Sequence, residues 1–100
     1  MPKHSYKITP PQREWIRRFG GESLSFERRF SDSHLVLAFI KAHHPRLYKA
    51  VCEAVKADGR DPDNHSYFTQ KASALFPDCV QAIRREKLKI AKAHKYINGH

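Results

Sequence analysis

Cysteine is nearly absent from this 100-residue chain: Cys52 and Cys79 are the two that occur. Two are too few for a disulfide framework, and without a Cys-x-x-Cys pair the usual spacing of a structural zinc site is missing. Each falls within a helical apolar pattern, where a free thiol behaves as a small buried hydrophobe. Glycine is almost as scarce, at four residues. Collagen-like and low-complexity readings are therefore excluded. Gly20-Gly21 has neither the further glycines nor the Lys-Ser or Lys-Thr of a phosphate-binding loop. Long apolar runs are missing too. The longest, Leu35 to Ile40, has six residues, against about 20 for a membrane span and about 7 to 15 for a secretory signal. We therefore expect a soluble, cytoplasmic protein with no membrane partner. Acidic residues are the last shortage: ten Asp and Glu face nineteen Lys and Arg, giving a net charge of +9. A balance of this kind favours a polyanionic partner.

The composition that remains is that of a folded domain, 40% hydrophobic and 29% charged, against a usual charged fraction of about 25%. Residues 1 to 100 fit a single domain on the usual scale of about 100 to 200 residues per domain. The charge is partitioned along it. Residues 1–30 carry Lys3, Lys7, Arg13, Arg17, Arg18, Arg28 and Arg29 against three glutamates, and residues 31–83 carry six charges of each sign. Residues 84–100 hold Arg84, Arg85, Lys87, Lys89, Lys92 and Lys95 against Glu86 alone. A neutral middle is thus flanked by two basic segments.

Periodicity predicts an all-α domain of four or five helices. Thr9 and Gln12 form a capping box around Pro10-Pro11 and start a helix that Gly20-Gly21 stops, with Trp15, Ile16 and Phe19 on one face. Residues 22–30 fit a short helix capped by Ser23 or Ser25, with an alternating strand as the competing pattern. Asp32 or Ser33 caps a segment, about 33–43, whose apolar residues 35–40 wrap most of the circumference, as a buried central helix requires. Pro45 opens a helix with the stripe Leu47, Tyr48, Val51, Cys52 and Val55 opposite Arg46, Lys49, Glu53 and Lys56, ended by Asp58-Gly59. Ser66 is positioned to cap a helix burying Phe68, Ala72, Leu75 and Phe76. Pro77-Asp78 then opens a long basic C-terminal helix with Val80, Ile83, Ile90 and Ile97 on one side. Lys87 and His94 interrupt that stripe, so the outer half is expected to project.

The six cations of residues 84–95, Arg84, Arg85, Lys87, Lys89, Lys92 and Lys95, are the leading candidates for phosphate contact. Their bland reading is a solvated helix with cations at its C-terminal dipole end. Arg13, Arg17 and Arg18 form a second candidate patch; Trp15 between them reads as core, given Ile16 and Phe19 beside it. The order of two helices with the cations on the second has the outline of a helix-turn-helix, although Phe76-Pro77 replaces the usual tight glycine turn. Seven histidines do not make a metal site, because no His-His or Cys-Cys spacing suits one; His43-His44 reads as a helix junction before Pro45. Asp58, Asp61 and Asp63 lack the order, glycine and terminal Glu of a calcium loop. No nucleophile with an adjacent base and no carboxylate pair stands out, so we expect a non-enzymatic protein without metal or cofactor.

Two functions fit this inventory. The first is nucleic-acid binding, DNA or RNA, in which the C-terminal cations and the N-terminal arginines neutralise phosphates with little sequence dependence. The second is a protein-protein modulator, an inhibitor or adaptor of phage or mobile-element type, docking the same cations on an acidic surface of a larger host complex.

Overall fold

The structure is a computed structural model; it describes residues 6–20 and 32–97, with side chains for 6–19, 32–90 and Lys92. Five helices account for most of the described residues: α1 (Pro10–Gly20), α2 (Asp32–His43), α3 (Pro45–Ala57), α4 (His65–Leu75) and α5 (Pro77–Ile97). Among the described residues there is no strand. The short helix expected over 22–30 lies outside them.

The start of α1 is a reciprocal cap. Thr9 N–H donates to Gln12 Oε1 at 3.0 Å and Gln12 N–H donates to Thr9 Oγ1 at 3.3 Å, so two otherwise orphaned donors are satisfied before the helical ladder begins. Ile16 is fully buried. Trp15 stacks on Phe19 at 5.4 Å and sets its edge against Phe39 at 5.8 Å, which makes the indole part of the packing, as its neighbours implied.

The centre of the fold is α2, which packs against each of the other four helices. Leu35, Val36, Phe39 and Ile40 are fully buried and Leu37 packs on the same cluster. At about 1.5–3 kcal/mol for each large apolar side chain removed from water, this short segment carries a large share of the hydrophobic stabilisation. The helix ends where Pro45 forces its predecessor out of helical geometry: His44 sits at φ −136°, ψ 70°. Pro45 then opens α3, whose missing N–H would have had no partner there. The stripe of α3 faces inward, with Val51 and Val55 fully buried, while Arg46, Lys49, Glu53 and Lys56 are exposed. Its exit needs a left-handed residue, and Gly59 supplies it at φ 76°.

Three details differ from the sequence reading. Asp32 and Ser33, expected as alternative caps of α2, are both helical residues of its first turn. The cap of α4 is Asn64, whose side chain accepts from Tyr67 N–H at 3.1 Å, and Ser66 is an exposed residue of the first turn. The turn that delivers the chain explains this: Asn64 N–H donates to Asp61 C=O at 3.0 Å, which fixes Asn64 as the last non-helical residue. Leu75, expected inside, is 46% exposed, because the helix ends there and the side chain that turns inward is Phe76. Phe68 and Ala72 are fully buried as expected, and Thr69 joins them by donating its hydroxyl to Ser33 C=O at 3.1 Å. In α5, Cys79, Val80, Ala82 and Ile83 are buried against α2, α4 and α1. The radius of gyration is 14.1 Å, close to the approximately 13 Å expected of a compact chain of this length.

Candidate functional site

The described part of α5 has a well-defined outer face. Asp78, Gln81, Arg85, Leu88, Lys89 and Lys92 are exposed, while Val80 and Ile83 are buried on the opposite side. Spacings of three and four residues keep Arg85, Leu88, Lys89 and Lys92 on one surface. Between residues 85 and 92 each turn of that surface therefore carries a cation.

Alongside it runs an open, predominantly polar groove of about 230 Å³, lined by Tyr6, Lys7, Ile8, Arg13, Ala82, Arg85, Glu86 and Lys89. One wall is α5, the other is the segment leading into α1. Lys7 belongs to the N-terminal charge excess but carried no sequence signal of its own, since a lone Lys in a non-helical stretch has no pattern to sit in. Its neighbours hold it in place. The Tyr6 hydroxyl and His44 Nε2 are hydrogen-bonded and the two rings meet edge to face at 5.2 Å, while Ile8 packs on the core. Burial pushes the Tyr6 phenol up to about 12, so this anchor is a neutral hydroxyl at physiological pH.

Glu86 is the carboxylate of the groove, and it is buried at 6% exposure. Arg13 Nε donates to its Oε2 at 2.7 Å, which compensates a charge that burial alone would make expensive. The remaining N–H groups of a guanidinium bound through Nε are still donors, and Arg13, with its side chain 45% exposed, lines the groove.

The structure sorts the sequence candidates into distinct settings. Arg13, Arg85 and Lys89 line the groove, and Lys92 continues the same face of α5. Arg84 points away from them and donates through Nε to Asp32 Oδ2 at 2.8 Å, tying α5 to the start of α2. Lys87 is half-buried. Arg17 and Arg18 both lie near Glu14, at 3.4 and 3.5 Å, on the exposed side of α1. The side chain of Lys95 lies outside the described residues. The basic C-terminal run is thus several environments rather than one patch, a consequence of the 100° step between successive helical residues.

Other chemistry-bearing groups lie outside the groove. Asp58 accepts from the Tyr67 hydroxyl at 2.7 Å and pairs with Lys71 at 2.6 Å, and these bonds hold its carboxyl below its ordinary range. Asp61 Oδ1 accepts from Asp63 N–H at 2.9 Å. The acidic loop is therefore bonded to itself and to α4. Burial raises the Cys79 thiol to about 11, which suppresses the thiolate. A shallow apolar depression of about 360 Å³ beside it is lined by Leu47, Leu75, Phe76 and Pro77. The His34 and His65 rings lie 3.6 Å apart, tilted by 33°, with Ser33 Oγ bonded to His65 Nδ1 at 2.9 Å. Among the described residues no three His, Cys, Asp or Glu side chains gather as a metal site would require, and no helix is long and apolar enough to cross a membrane.

Compared with protein-family models, curated proteins and solved structures, the chain matches none.

Proposed function

We propose that this protein is a non-enzymatic nucleic-acid binder that holds the phosphate backbone along the outer face of α5 and the adjoining groove. The observation that carries the reading is the placement of charge. Lys7, Arg13, Arg85 and Lys89 border one open groove, Lys92 extends it along the helix, and the one carboxylate there, Glu86, is already neutralised by Arg13. Such a surface attracts a polyanion through counterion release. It offers few base-reading groups, so affinity should depend little on sequence.

The test is charge reversal at exposed positions. Replacing Arg85, Lys89 and Lys92 together by Glu should abolish binding to short DNA and RNA duplexes in an anisotropy titration, with the melting temperature nearly unchanged. Superimposable curves for variant and wild type would refute the reading.

A single observation favours the second function, docking on an acidic protein surface. Leu88 is 60% exposed among the cations, and a mixed apolar and basic helix face suits an acidic protein groove. Material purified before and after a high-salt wash separates the two. Copurifying nucleic acid favours the first, and one stoichiometric protein that survives nuclease treatment favours the second.

A further inference from the structure

We infer that the groove between residues 6–8 and α5 is a seat for a single phosphate group, with Lys7, Arg85 and Lys89 as its donors and Arg13 set in orientation by Glu86. The inference rests on the nucleic-acid reading for the source of that phosphate, a diester of the bound chain, and goes beyond it in assigning a discrete site. Cations along a helix face successive phosphates. Cations on two opposed walls face one group between them, and here Lys7 comes from one wall and Arg85 and Lys89, one turn apart, from the other. A volume of about 230 Å³ is many times what a single water needs, which leaves room for a phosphate with its ester carbons.

The seat is also prepared in advance. The Tyr6 to His44 bond and the packing of Ile8 pin the backbone on both sides of Lys7, and Thr9 is held by the capping box. Less conformational freedom is then lost when Lys7 engages an anion. Glu86 contributes by position. Its carboxylate is buried and bonded to Arg13 Nε, so it fixes the guanidinium rather than presenting a bare negative charge to the ligand.

Two measurements test the seat. In an amide NMR titration with inorganic phosphate at constant ionic strength, the expected shifts cluster at Lys7, Ile8, Arg85 and Lys89 and vanish in Lys7→Ala. Shifts spread equally over Lys49 and Lys56 on α3, or none, would overturn the site. In the second, Lys7→Ala should weaken binding of a short duplex and reduce the salt slope by about one. Tyr6→Phe, which keeps every charge but releases the strap from His44, should weaken it too. Unchanged duplex affinity and slope in Lys7→Ala, with binding still abolished by reversal of Arg85, Lys89 and Lys92, removes the seat and keeps the nucleic-acid reading. Phosphate shifts in the groove without any duplex binding keep the seat and remove that reading, leaving a small phosphorylated ligand. Anionic vesicles that compete with inorganic phosphate while duplexes do not would move the source to a lipid headgroup.

Discussion

Val51 has no exposed surface and sits on the inward stripe of α3. A carboxylate there has no partner and no water, so Val51→Asp should lose about 3 kcal/mol or more in chemical denaturation. Arg85→Ala, at an exposed site, should change stability by less than about 0.5 kcal/mol. Equal losses would invert the assignment of inside and outside. The helix-junction histidines add a pH dependence. Burial holds His43 below its ordinary 6.5, and His44 is lowered by burial and by His43 beside it. His43 packs against Phe39 at 4.6 Å and Trp15 at 5.1 Å, and its buried Nε2 has no hydrogen-bond partner. Below 6.5 the unfolded chain binds more protons at these sites than the folded one. Their contribution is therefore complete above 6.5 and is lost as pH falls through the lowered folded values. Imidazole NMR titrations should give midpoints below 6.5 for both residues, with a melting temperature lower at pH 5 than at pH 7. Midpoints at or above 6.5 would contradict the burial.

At the scale of the helices, the caps are where local sequence and tertiary context part. Thr9 and Gln12 are readable in advance because a capping box is a pattern of two residues at fixed spacing, and both bonds form. Thr9→Ala should cost about 1 kcal/mol. The start of α4 is different: Asn64 and Ser66 are both capping types, and the choice is made by the Asp61 to Asn64 turn. Asn64→Ala should therefore cost about 1 kcal/mol and Ser66→Ala close to nothing. The reverse order in thermal melts would restore Ser66 as the cap. The stripes of α2 and α3 were equally legible, since continuous apolar residues over 35–40 wrap most of the circumference and α2 does pack against each of the other described helices. Leu75 was not. Helical spacing from Phe68 and Ala72 admits either Leu75 or Phe76 on the inward side, and it is Phe76 that packs on the core.

For the whole molecule, the charge excess was legible and its distribution in space was not. Residues 84–100 read as one basic run with a single acid in it. Folding buries that acid, Glu86, against Arg13 from seventy-three positions earlier, assigns Arg84 to Asp32, and brings Lys7 into one groove with Arg85 and Lys89. Each of these pairings joins segments distant in sequence, which helical periodicity cannot anticipate. They reduce the candidate surface to a groove and one helix face. The salt dependence of duplex binding tests that surface most directly. With about four cations, Lys7, Arg85, Lys89 and Lys92, engaging the phosphate backbone, counterion release should make log K fall with log salt at a slope of about −4 on duplex DNA, and at none measurable once Arg85, Lys89 and Lys92 are reversed to Glu. A wild-type slope near zero, or a slope that the reversed variant retains, would contradict the account.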